Sequence, residues 1–309
     1  MNETVISYES YKEGETVRAY IFEGEGEPCG IIQILHGLAE HIGRYREFAE
    51  YFTRLGYIVC GNDHLGHGEC ADDEKKRGYF GEKNGWETVM QDAVTLSEYM
   101  IETYPELPIV YFGHSMGSFL ARCIHLSGLF VPEAMILSGT GHLPALLVTA
   151  GRAVGGLITL FRRTKCVESR LMTALTIGGY DKAFKGEEKN AWISSIPEEV
   201  AAYNGDPLCG YPVKLGLYRD MLSGVAYVID QRAINLSENI PILFVSGEDD
   251  PVGEMGQGVK KAFRAYAKAE FDDLSLILYP KARHEFLHDH AKETALCDIK
   301  AWLIEHGIG

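Results

Sequence analysis

The chain has 309 residues, 46% of them hydrophobic and 24% charged, with a formal net charge of −15 at pH 7. This composition describes a folded globular protein able to bury a large core, and it excludes a disordered, fibrous or collagen-like chain. The acidic balance argues against DNA, RNA or an anionic lipid surface as an electrostatic partner, because phosphate binding needs clustered Lys and Arg.

The opening MNETVISYESYKEGETV lacks a basic start followed by an apolar run, so no secretory signal is visible and a cytoplasmic location is expected. ETVISYES and ETVRAYIFEGEG alternate at period two, which predicts an antiparallel hairpin at a sheet edge. Short apolar runs then recur over 29–37, 56–63, 108–115, 133–140, 240–250 and 274–285, and each reads as a buried strand. RYREFAEYFTRLG, WETVMQDAVTLSEYMIETYP and SMGSFLARCIHLSG, which lie between them, have helical period, and the first and third end on a glycine suited to a helix C-cap. Alternation of strand and helix predicts an α/β fold: a mostly parallel eight-stranded sheet, hairpin included, with helices on both faces.

That rhythm breaks between 141 and 239, where helical and irregular glycine-bearing segments replace the strands. The expected organisation is a core of residues 1–140 and 240–309, interrupted by an inserted helical cap at 141–239. Within it, HLPALLVTAGRAVGGLITLF (142–161) approaches the length of a membrane span. Arg152 at its centre, three glycines and the RRTK that follows favour an amphipathic or lid-forming segment, capable of transient membrane contact, over a span. The cysteines, at 29, 60, 70, 123, 166, 209 and 297, form no CxxC pair and no metal-like spacing with histidine, so reduced and mostly buried thiols are expected.

The chemistry centres on Gly113-His114-Ser115-Met116-Gly117, a G-x-S-x-G pattern with a predicted strand before it and a predicted helix after it. A serine at such a turn projects its oxygen above the sheet, and the flanking glycines prevent collision with strand and helix. Serine needs a base to act as a nucleophile, and the base needs an orienting acid; on this architecture they follow in the order Ser, Asp/Glu, His. Asp250 and its neighbour Asp249 both follow a strand in FVSGEDDPVG, and spacing alone does not separate them. His284, past the last strand in LYPKARHEF, is favoured as the base over His288 and His290, which are expected in the following helix. The loop HGLAEHIGRY follows the first core strand, so the Leu38 N–H can pair with that of Met116 to receive a developing oxyanion.

Together HGLAEHIGRY, DHLGHGEC, GHSMGS, SGEDDPVG and ARHE resemble the monoacylglycerol lipase and lysophospholipase group of the α/β-hydrolase superfamily, also labelled serine aminopeptidase S33 or hydrolase-4. The resemblance covers nearly the whole core and implies Ser115 as nucleophile, Asp250 rather than Asp249 as acid, His284 as base, and Leu38 and Met116 as oxyanion-hole amides. It also implies that Asp63, His64 and His67 brace loops. In the cap only NGDPLCGYPVKLGLYRDMLSG looks family-like. The expected activity is hydrolysis of a small-molecule ester or lipid with an apolar acyl group, with no metal or organic cofactor. A serine aminopeptidase or amidase is the second reading, with Glu198, Glu199 or Asp206 as anchors for a free amine; a noncatalytic ligand-binding protein on the same fold is the third.

Overall fold

The computed structural model describes residues 1–71 and 73–309. In chain order the elements are β1 (Asn2–Glu9), β2 (Thr16–Glu23), β3 (Gly30–Leu35), α1 (Arg46–Thr53), β4 (Tyr57–Asn62), α2 (Gly85–Thr103), β5 (Ile109–His114), α3 (Met116–Leu126) and β6 (Ala134–Ser138). Five helices follow before the next strand: α4 (Ala145–Arg162), α5 (Arg170–Leu175), α6 (Pro197–Gly205), α7 (Leu215–Val228) and α8 (Gln231–Leu236). The chain closes with β7 (Ile242–Gly247), α9 (Gln257–Lys268), β8 (Leu274–Tyr279) and α10 (Lys292–Glu305).

The eight strands form one sheet in the order β1-β2-β4-β3-β5-β6-β7-β8. The β1–β2 and β2–β4 pairs are antiparallel, and all the others are parallel. Strands β3 to β7 are buried at every position, as a parallel sheet covered on both faces requires. Edge strand β1 is largely exposed, and β2 alternates over its first residues. Successive side chains of the central strands enter opposite cores: Met135, Leu137, Ile242 and Phe244 pack with α2, α3, α7 and α9, whereas Ile136, Leu243 and Val245 pack with α1 and α10. Beyond α1 and α3 stand Gly56 and Gly128, both in left-handed backbone, as their sequence positions suggested.

The parallel register has a consequence for chemistry. The carboxyl ends of β3, β5, β6, β7 and β8 all open at one edge of the sheet, where α/β proteins bind their ligands. Between β6 and β7, α7 packs onto α2 and α3, and α4 packs onto α7. Only Val148 and Gly155 of α4 are buried. His288 and His290 lie outside the helix expected for them: a 3-10 turn spans Phe286–His288, and α10 begins at Lys292.

Candidate active site

Ser115 stands between the last residue of β5 and the first of α3, with φ 51° and ψ −116°. This is an unfavourable backbone for a residue with a side chain, and it persists only where the surroundings impose it. Two glycines allow it. A Cβ on Gly117 would lie 1.9 Å from the Leu35 carbonyl oxygen, and one on Gly113 would lie 2.6 Å from the Gly117 oxygen. The turn is secured by the Ser115 N–H donating to the Ser138 carbonyl at 2.9 Å, and by the Ser118 hydroxyl donating to the Ser115 carbonyl at 2.6 Å.

Asp250 and His284 come from the loops after β7 and β8 and meet in a buried pair, Nδ1 to Oδ2 2.9 Å. The carboxylate also accepts the Ser246 hydroxyl at 3.1 Å and the Val252 N–H at 2.8 Å, which fix its orientation. Asp249, by contrast, is exposed. Burial presses the His284 imidazole toward neutrality, but the Asp250 charge and hydrogen bond outweigh it and hold its pKa above the ordinary histidine value. With Asp250 occupied at Nδ1, the ring has Nε2 left to exchange a proton.

Ser115, His284, Leu38 and Met116 line one cavity of about 860 Å³. Most of its remaining wall is apolar, including Phe119, Leu147, Val154, Met172, Leu222 and Val225. The glycine before Leu38 approaches the elbow closely: a Cβ on Gly37 would fall 3.3 Å from the Ser115 Cβ. Among the described residues, no protein group accepts the backbone N–H of Leu38 or Met116. Two unpaired donors therefore belong to residues that line the cavity with Ser115.

A buried charge network joins the Leu38 loop to the His284 loop. Glu40 accepts the Gly37 N–H at 2.5 Å and the Tyr45 hydroxyl at 2.9 Å, while Arg44 donates to Glu40 at 3.0 Å. The same guanidinium binds both carboxylate oxygens of Glu285 at 2.7 Å, and the ring of Tyr203, from α6, lies 5.0 Å beneath it. Burial pushes Glu40 upward, but Arg44, with His114 and the Gly37 N–H, draws it down to about 2. Sequence reasoning missed Glu40, Arg44 and Glu285; the visible trace was an acid and a base four residues apart in HGLAEHIGRY.

Asp63, His64 and His67 lie outside the cavity. Asp63 accepts the Ile42 N–H at 3.0 Å and the Glu69 N–H at 2.8 Å, tying the loop after β4 to the segment ahead of α1. The His64 N–H donates to His36 Nε2 at 3.1 Å, and the His36 and His64 rings lie 4.1 Å apart.

The family model described as serine aminopeptidase, S33 (Hydrolase_4), matches residues 26–291. The chain belongs to this family. A relative within reach of the S33 chain is the monoacylglycerol lipase of Mycolicibacterium smegmatis, 27% identical over 290 residues and covering 93% of this chain and 92% of its own length. A thermostable carboxyl esterase from Bacillus coagulans, solved with glycerol, superposes with a TM-score of 0.92 at 27% identity over the whole of both chains. A monoglyceride lipase from Saccharomyces cerevisiae, solved with a substrate analog, shares the fold at TM-score 0.78 and 18% identity, covering 99% of this chain and 95% of that one. The resemblance read from the motifs and the α/β-hydrolase fold are thus both borne out.

The S33 label raises the aminopeptidase reading, and the three carboxylates expected to anchor an amine do not support it. Glu198 is exposed, Glu199 faces His288 at 3.5 Å, and Asp206 binds His41 at 3.0 Å; none of them lines the cavity. Their positions on and just after α6 place them outside the cavity wall, which residue type alone could not convey.

Proposed function

We propose that this serine ester hydrolase works through Ser115, His284 and Asp250 on carboxylic esters with an apolar acyl group, such as monoacylglycerols or lysophospholipids. The carrying observation is that a strained serine and a buried His–Asp pair open on one apolar cavity. Ser115 Oγ attacks the ester carbonyl carbon while His284 Nε2 takes its proton, and the Leu38 and Met116 N–H groups receive the oxyanion. Collapse breaks the C–O bond to the alcohol, which leaves with the proton that His284 returns. Water then attacks the acyl-enzyme with its proton going to His284, and the carboxylic acid departs as Ser115 recovers its hydrogen. Asp250 holds the imidazole in one orientation and stabilises its cationic form.

Residues 141–239 act as the lid in this reading. The inner face of α4 offers Leu147 and Val154 to the cavity, while Leu146, Leu160 and Phe161 are 82%, 71% and 82% exposed. Such an outer face suits transient contact with a lipid surface, from which an acyl chain can enter. Free cysteines throughout the chain support a reducing, cytoplasmic setting, which cell fractionation would test.

Ser115→Ala is expected to abolish p-nitrophenyl ester turnover and labelling by a fluorophosphonate probe. Retained labelling would assign the chemistry to another residue. Comparing a panel of acyl esters with aminoacyl anilides should show turnover of the esters alone; preference for the anilides would restore the aminopeptidase reading.

A further inference from the structure

Four rings make successive contacts at the site. The ring of His114, the residue before the serine, lies 4.7 Å from that of His284, Trp192 lies 5.1 Å from His284, and Tyr180 lies 5.1 Å from Trp192. The first two rings belong to the sheet edge, and the last two come from the segment between β6 and β7. The Trp192 and His284 planes are inclined by 39°, a tilted contact between the two rings.

The backbone beside Trp192 is stitched to the histidine loop. The His284 N–H donates to the Trp192 carbonyl at 3.4 Å, and the Glu285 N–H to the Ile193 carbonyl at 2.7 Å. The Arg283 guanidinium donates to the carbonyls of Ala191 at 2.7 Å and Ser194 at 3.1 Å, and the Ser195 N–H donates to Asp289 at 2.9 Å. Residues 191–195 and 283–289 therefore behave as one joined unit.

We propose that Trp192 is a positioning residue for His284: it holds the imidazole in the plane that faces Ser115, and its π face stabilises the imidazolium formed when the serine proton moves to Nε2. The proposal rests on the assignment of His284 as base. An indole within about 6 Å of a cation attracts it through the ring quadrupole, and the attraction is strongest where water is excluded. The other groups facing the ring are accounted for. Asp250 binds Nδ1, His114 is kept neutral by burial with its pKa lowered to about 4, and Glu285 and Glu40 contribute negative charge that both share with Arg44. Of the two rings packed against His284, His114 is neutral, which leaves the Trp192 indole as the π system that meets the imidazolium.

The deciding comparison is among the parent, Trp192→Phe, which keeps a π face, and Trp192→Leu, which keeps apolar cover without one. The pKa of His284 is read directly by NMR titration in a Ser115→Ala background, and the acid limb of kcat/KM is read in the active enzymes with a short p-nitrophenyl ester. Both pKa values are expected to fall in the order Trp, Phe, Leu, by roughly 0.5–1 unit overall. The leucine variant should lose roughly three- to tenfold in kcat, with KM within about twofold and the phenylalanine variant in between. Equal pKa values in all three, or equal kcat losses in Phe and Leu, would overturn the proposal. If the leucine variant does not fold, Trp192→Met replaces it, and failure of both would assign Trp192 to cap folding instead. A separate control, His284→Gln, tests the underlying assignment: retained turnover there would remove His284 as base, whereas the NMR measurement would still report the effect of Trp192 on the ring.

Discussion

At Ser115 the chain accepts a conformation that costs on the order of 1–3 kcal/mol so that one hydroxyl stands clear of the sheet. Glycine adopts that backbone without penalty, but it also frees the unfolded chain by roughly 0.5–1 kcal/mol. Ser115→Gly is therefore expected to stabilise the protein by about 1 kcal/mol, raising Tm by roughly 2 °C, while Ser115→Ala inherits the strain and gains nothing. Thermal unfolding of the two inactive variants measures the difference. Equal melting temperatures would mean that the turn stores no strain.

Among the elements, the connection between the Leu38 loop and the His284 loop depends on a single cation. Removing it leaves two carboxylates, Glu40 and Glu285, buried without a counter-charge. Arg44→Met should cost about 3–5 kcal/mol in urea unfolding, because breaking a buried ion pair costs more than the pair contributes when intact. Arg44→Lys should recover only part of this, since an ammonium cannot bind both Glu285 oxygens in the forked geometry seen here. A loss below about 1 kcal/mol in Arg44→Met would show that water relieves the two acids. Helix α4 behaves differently, because its outer apolar residues touch little of the protein. Changing Leu146, Leu160 and Phe161 to Glu together should leave Tm nearly unchanged, within about 0.5 kcal/mol per site, yet weaken binding to phosphatidylcholine vesicles at least about tenfold in a sedimentation assay. Unchanged vesicle binding would remove the lid face as a lipid contact.

For the molecule as a whole, buried histidines set the response to acid. Burial holds His36 and His64 well below the ordinary value, and His67 and His114 at about 4. The unfolded chain binds these protons near pH 6.5 and the folded one does not, so their contribution is complete above 6.5 and is lost as pH falls through about 4. Each of the latter two represents on the order of 3 kcal/mol. Glu40 adds a second loss, present above about 4.5 and removed as pH falls toward about 2. His284 has the opposite sign: its raised pKa favours folding below 6.5, and that contribution disappears as pH rises through the folded value. His125 and His142 are lowered as well, whereas His306 joins His284 on the raised side and burial raises Asp92 and Asp220 to about 6. The six lowered histidines outweigh these opposing groups, so urea midpoints should drop between pH 6.5 and 4. A flat profile across that window would contradict the burial of these rings in neutral form.

Local signals in the amino-acid order were enough for the sheet, its crossovers and the elbow. Continuous apolar runs, glycines beyond α1 and α3, and the Gly113–Gly117 spacing act through neighbouring residues, and periodicity exposes such effects directly. The segment 141–239 was legible only as a loss of strand rhythm. Spacing could not choose between Asp249 and Asp250, because both follow β7 and only the path of the loop decides which carboxylate turns inward. The same limit hid Arg44 between Glu40 and Glu285, and Trp192 beside His284. Glu40 and Arg44 are four residues apart, but Glu285 and Trp192 are distant from the groups they meet, and they come together because parallel strands deliver their loops to one edge while a helical insertion folds back across it.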